Sequence, residues 1–159
     1  MKAKEKSTSS SFITTPTSNT ADELARGIAR AICEVDGCSH MLGLELLEAR
    51  AGYARSRMVV RPEFLNGHEV CHGGIIFTLA DSTFGIACNS YNINTVGASC
   101  SIEYLRPVRS DEVLIAEAIE QARAGRSGIY DVKVTNKACE IVAMFRGKSM
   151  QIQGTLIPL

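Results

Sequence analysis

The sequence predicts an α+β fold, an antiparallel β-sheet wrapped around one long buried helix. Three observations predict it. Residues 74–89 form a helix-length segment that is apolar on nearly every side. Strand-like segments separated by turn residues follow it with no second helix among them. An amphipathic helix and a hairpin pattern precede it.

In chain order, residues 1–19 are rich in Lys, Ser and Thr and lack the apolar stretch of a secretory signal. They are expected to be a disordered tail, leaving 20–159 as a single domain. Thr20, with Glu23 three residues on, has the pattern of a capping box. Leu24, Ile28, Ala31, Ile32 and Val35 then recur at helical spacing, and Gly37 is expected to end that helix. Residues 42–49 and 53–60 read as strands joined by a turn at Ala51-Gly52. Pro62, Asn66 and Gly67 break 61–71 into a loop. A helix apolar all round, such as 74–89, is buried. Four strands are expected after it, at 96–105, 113–122, 128–135 and 140–152, with turns at Pro107, Gly125 and Asn136-Lys137. Tyr130, Val132 and Val134 alternate with Asp131 and Lys133, the pattern of a half-buried strand. The Ala, Glu and Gln of 113–122 would also suit a helix. Val113, Ile115 and Ile119 make no helical stripe, and the neighbours are strands, so strand is preferred.

The chain of 159 residues is long enough for one real core, and 45% of it is apolar. Seventeen basic residues balance seventeen acidic ones, which gives no electrostatic case for nucleic acid. No apolar run approaches the roughly 18 residues of a membrane span. The stretch 73–88 is interrupted by Thr78, Asp81, Ser82 and Thr83. Six cysteines, none in a Cys-x-x-Cys pair, sit in a chain that does not need disulfide staples. A reducing compartment, the cytoplasm, is expected. Cys33, Cys38 and His40 lack the number and spacing of zinc ligands. Cys71 beside His72 lacks the third, orienting group of a thiol nucleophile.

Asp81 is the residue that needs explaining. Asp is a poor helix former, and a lone buried carboxylate is costly unless paired or protonated. Such a group is either structural, bonded to backbone or to a cation, or a general base or nucleophile held in an apolar cleft. Thr78, Asp81, Ser82 and Gly85 lie three or four positions apart and therefore share a face. That narrow polar stripe suits a water and a ligand better than it suits packing. His72-Gly73-Gly74 leads directly into the helix. Glycine lets a ligand approach the backbone, and free N–H groups at a helix start can hold an oxyanion. Eight residues separate Gly73 from Asp81, about 12 Å along a helix axis. Both cannot touch one carbonyl within a single chain. If both act, two copies must share the site.

The motifs Asn66-Gly67-His68, Cys71-His72-Gly73-Gly74 and Leu79-Ala80-Asp81 resemble those of hotdog-fold acyl-CoA thioesterases. The resemblance is strongest to the PaaI type, the thioesterases of phenylacetic acid degradation. It continues through Leu105-Arg106-Pro107, Gly128-Ile129-Tyr130-Asp131 and Phe145-Arg146-Gly147-Lys148-Ser149, and spans about 42–157. It implies that Asp81 attacks the thioester or activates water, and that the Gly73 N–H polarises the carbonyl. Asn66 and His72 would complete the pocket, with Gly74 beside them. Ser82 stands where the family commonly has Thr, with Thr83 a second candidate hydroxyl. It further implies aryl acyl-CoA substrates such as (hydroxy)phenylacetyl-CoA, a homodimer with shared active sites paired into a tetramer, and no metal or cofactor. Arg106, Arg109, Arg123, Arg126, Arg146 and Lys148 are candidates for the CoA phosphates, since Arg suits phosphate. Arg146 and Lys148 are preferred because Gly147 between them permits close approach. Phe64, Leu65, Phe77, Phe84 and Tyr91 could line an aryl pocket or the core. A non-catalytic acyl-CoA-binding protein and a hotdog hydratase or dehydratase are the rival readings. A binder has little use for a buried Asp, and the His–carboxylate signature of the hydratases is not found.

Overall fold

The computed structural model describes residues 18–158, with side chains from Thr20 onward. Most of the expected tail lies outside the described residues, but its last two positions already belong to a helix. That helix, α1, spans Ser18–Val35, so Thr20 lies inside the first turn rather than capping it. Gly37 does not end it either. Asp36 breaks the chain and caps a second, short helix, α2 (Gly37–Leu42), accepting the N–H groups of Cys38 at 3.0 Å and Ser39 at 3.3 Å. Gly43, at φ 66°, closes α2. The first strand therefore starts later than the sequence suggests.

The strands are β1 (Glu45–Arg50), β2 (Tyr53–Val59), β3 (Thr95–Tyr104), β4 (Val113–Ala124), β5 (Ser127–Thr135) and β6 (Ile141–Gln151). A short 3₁₀ turn at Pro62–Phe64 and a Leu65–Cys71 bridge order the loop before the long helix α3 (Gly73–Asn89). All strand pairings are antiparallel, in the order β1-β2-β4-β5-β6-β3. The segment that could have been helical is β4. It runs two residues further than expected, into the Gly125 turn.

α3 lies across one face of this sheet and packs on every strand. Ala54, Ala116 and Ala118 are fully buried and let the helix come close. Leu79, Ala80, Phe84 and Ala87 fill the space against Met58, Leu114, Val132 and Phe145. Phe84 sets the position of the helix over β6. A Cβ at Gly147 would stand 2.9 Å from the Phe84 ring and 3.0 Å from Phe145. Gly147→Ala is therefore expected to cost about 1–3 kcal/mol of stability by overpacking. The midpoint of denaturant unfolding checks this.

The two sheet edges differ. β1 is short, charged, and tied by ion pairs of Glu48 with Arg50 and of Glu45 with Arg57. α1 also packs on it. β3 is ten residues long with one charged side chain, Glu103, and leaves Val96 and Tyr104 nearly half exposed. An edge of the first kind resists pairing and one of the second kind invites it. No helix among the described residues is long and apolar enough to cross a membrane.

Candidate active site

Asp81 sits midway along α3, half-buried. Its carboxylate accepts one weak bond, from the Cys100 thiol on β3 at 3.8 Å. Among the described residues it has no cationic or backbone partner, so the structural reading of this carboxylate lacks the group it needs. Asp131 shows the contrast, gripped by both arms of Arg146 at 2.6 and 2.7 Å. That grip holds Asp131 below the usual carboxylate range. Burial pushes Asp81 above it, and the Cys100 bond offsets this in part.

Two clefts meet at Asp81, and they share Asp81, Gly85 and Thr95. One, of about 410 Å³, lies between α3 and β3 and is walled by Phe77, Phe84 and Cys100. The other, of about 470 Å³, lies between α3 and the α1–α2 turn, against Ile32, Val35 and Leu156. The whole predicted stripe of Thr78, Asp81, Ser82 and Gly85 faces this second cleft. Ser82 stands beside Asp81 as expected. Thr83 does not: it is fully buried, and its hydroxyl donates to the Leu79 carbonyl at 2.7 Å. One residue further along a helix turns the side chain about 100°, here from the cleft into the core.

The start of α3 is built by His72, whose Nδ1 accepts the Gly74 N–H at 2.9 Å. His72 is thus the N-cap, its ring proton belongs on Nε2, and Gly74 has no N–H to offer a ligand. The Gly73 N–H bonds no described residue and is the free donor. The ring of Tyr104 crosses Gly73, and its hydroxyl donates to the Gly73 carbonyl at 2.8 Å. A Cβ at Gly73 would meet that half-exposed ring at 3.0 Å, so any larger residue there would have to push the ring aside. Asn66 spends its Oδ1 on the His68 N–H at 2.8 Å, which shapes the loop. Its amide nitrogen bonds no described residue.

Gly73 opens on a third cleft, of about 350 Å³, with Ile76, Tyr104 and Arg106. Asp81 does not reach it, so the two expected catalytic groups stay apart within one chain. Arg146 and Lys148 reach neither. Phe145, Gly147 and Ser149 face α3, so the alternating Arg146 and Lys148 lie on the outer face of the sheet, and Arg146 is committed to Asp131. Arg126 bonds the Gln151 carbonyl and Arg123 stacks 3.7 Å over Tyr91. Of the basic candidates, Arg106 shares a cleft with Gly73. Cys100 and Tyr104 escaped the sequence reading, because nothing local marks a residue that reaches the site only through strand pairing. No group of three His, Cys, Asp or Glu among the described residues could hold a metal ion.

The sequence profile of the thioesterase superfamily matches residues 68–143. Over 128 residues the chain is 40% identical to the acyl-coenzyme A thioesterase PaaI of Escherichia coli (strain K12), covering 80% of this chain and 91% of that protein. A putative esterase of Archaeoglobus fulgidus is 36% identical over 123 residues, covering 77% and 80%. Among solved structures, the E. coli PaaI protein from the phenylacetic acid degradation operon superposes with a TM-score of 0.84 at 38% identity, over 85% of this chain and 98% of that one. The smu.793 protein of Streptococcus mutans, solved bound to acetyl CoA, gives 0.67 at 25% identity, over 70% and 90%. With its sheet wrapped on α3 and its carboxylate in the middle of that helix, the chain belongs to the thioesterase superfamily and is a hotdog-fold thioester hydrolase similar to PaaI.

Proposed function

We propose that the protein hydrolyses aryl acyl-CoA thioesters, (hydroxy)phenylacetyl-CoA among them, to the free acid and coenzyme A, in phenylacetate breakdown. The observation that carries this reading is Asp81, a half-buried carboxylate with no counter-ion among the described residues, at the meeting of two clefts. Phe77 and Phe84 on one wall suit a ring, and the similar E. coli enzyme is named for acyl-coenzyme A.

Each site draws on two copies of the chain. Gly73 is bonded to Tyr104 and Asp81 to Cys100, so α3 runs antiparallel to β3. Four residues of strand span about 13 Å, close to the roughly 12 Å between Gly73 and Asp81 along α3. Antiparallel pairing of two β3 edges about an axis beside Ile102 sets Tyr104 of the partner subunit opposite Cys100. Gly73 of the partner subunit then comes to Asp81. Two such dimers form the tetramer. Six free thiols suit a cytoplasmic home. The chemistry needs no metal or cofactor.

In the reaction the thioester oxygen rests on one copy's Gly73 N–H, steadied by the positive end of α3. Asp81 of the other copy takes a proton from water as its oxygen bonds the carbonyl carbon, or attacks that carbon itself and forms an anhydride. In either route collapse of the tetrahedral adduct breaks the C–S bond, and coenzyme A leaves as a thiolate that is protonated in solution. An anhydride, where formed, is then hydrolysed by water, which frees the acid and restores Asp81. The test is release of free thiol from phenylacetyl-CoA, hydroxyphenylacetyl-CoA and straight-chain acyl-CoAs. Preferred turnover of the aryl esters supports the reading. Tight binding of all of them with no thiol released would make the protein a binder and overturn it.

A further inference from the structure

We infer that Gly85 sets the width of the acyl site. This rests on the thioesterase reading and says which acyl groups fit it. Gly85 follows Asp81 by one turn on the same face of α3. Glycine inside a helix costs stability relative to alanine, so it calls for a reason. At several other glycines the reason is visible. Gly52 needs its positive φ, and Gly128 and Gly147 lack room for a Cβ. Gly85 has neither excuse: its φ is not positive, and nothing stands within 4 Å of where a Cβ would be. Gly27, inside α1, is equally open, but it lines neither of the clefts that meet at Asp81.

What Gly85 does have is position. It lines both clefts that meet at Asp81. It is therefore the low saddle between the Phe77–Phe84 wall on one side and the Ile32–Val35 wall on the other. A thioester carbonyl held at Asp81 places the acyl body over the next turn of α3, on this saddle. Bare backbone there admits a flat ring at van der Waals distance. A side chain would leave space only for a short acyl group. The chemistry selected is a wide, ring-bearing acyl group, with acetyl indifferent to the residue at this position.

The test compares Gly85→Ala and Gly85→Leu with wild type, by kcat/KM for phenylacetyl-CoA and acetyl-CoA, unfolding temperature, and oligomer size. A thioether analogue of phenylacetyl-CoA, which cannot be hydrolysed, is titrated by calorimetry beside coenzyme A alone. The expected result is unchanged assembly and an unfolding temperature for Gly85→Ala at or above wild type. Phenylacetyl turnover should fall about tenfold in Gly85→Ala and about a hundredfold in Gly85→Leu, with acetyl turnover within about threefold. Equal losses on both esters, no loss on either, or dissociation of the oligomer would overturn the inference, the last by making Gly85 a contact between copies. If wild type hydrolyses nothing, the thioesterase reading fails. The titration still decides on Gly85: weaker thioether binding in Gly85→Leu with unchanged coenzyme A binding supports it, and equal binding sinks it.

Discussion

Asp81→Ala and Asp81→Asn are each expected to lose about a hundredfold or more in kcat while staying folded, a deficit of roughly 3 kcal/mol in the transition state. Both variants remove the negative charge, and Asn keeps nearly the shape, so equal losses separate charge from packing. Full activity in Asp81→Ala would remove the residue from the mechanism. After a single turnover in ¹⁸O water, label in the Asp81 side chain would establish the nucleophilic route, because only an anhydride opened at the Asp81 carbon puts it there. Label in the released acid alone fits a base, and equally an anhydride opened at the acyl carbon.

The same burial makes a paired prediction for pH. The proposed reaction needs Asp81 charged, and desolvation holds its pKa above the ordinary value. The acid limb of kcat/KM should therefore lie above the usual carboxylate range. For stability the sign runs the other way. The folded chain holds this proton more tightly than the unfolded chain does. Asp81's favourable contribution is thus present below the unfolded pKa and lost as pH rises through the folded one. Above the folded pKa the charged carboxylate is a burden, and there Asp81→Asn is expected to unfold at higher denaturant than wild type. The gap should close on acidification toward the ordinary carboxylate pKa. A constant gap across pH would mean that Asp81 is not strained by burial.

Recovery of activity from two dead variants is the second large effect expected. Gly73→Pro removes the N–H proposed to hold the oxyanion. The backbone tolerates the change, because proline is favoured at the first position of a helix. His72, at φ −61° and ψ 133°, already has the conformation required before proline. The Tyr104 ring stands in the way of the new ring, so the variant is made with Tyr104→Ala, and Tyr104→Ala alone serves as the active control. Loss of one oxyanion donor is worth about 10²–10³ in kcat. Refolded together in equal amounts with Asp81→Ala, half the dimers are mixed. Each mixed dimer joins one intact Asp81 to one intact Gly73 at one of its two sites. Activity should return to about a quarter of wild type. Mixed dimers confirmed by mass but without activity would place the whole site in one chain.

What the sequence made legible was what short-range geometry governs. The 74–89 segment and its stripe follow from a period of 3.6, and the stripe opens on a cleft. Tyr130, Val132 and Val134 face the core as their alternation requires. Two of the expected site assignments run against the same rules. Thr83 lies about a quarter-turn or more from the stripe, and Arg146 and Lys148 alternate with the buried Phe145. Gly147 looked like a place for a ligand and is instead the seat of the Phe84 ring. Asp36, followed two and three residues on by Cys38 and Ser39, was the cap of a second helix, placed where the first was expected simply to end at Gly37. Cys100 and Tyr104 were beyond reach, because their nearness to Asp81 and Gly73 depends on β3 joining the sheet beside β6, forty residues away.

The bare β3 edge also has a kinetic consequence. Under the shared-site proposal a copy alone carries two half-sites and no whole one, so dilution past the point of dissociation is expected to switch the enzyme off without unfolding it. Initial rates at low protein should climb more steeply than in proportion to the amount added. Specific activity then becomes a titration of self-association. An excess of an inactive copy, by occupying edges, would silence working subunits it never chemically touches.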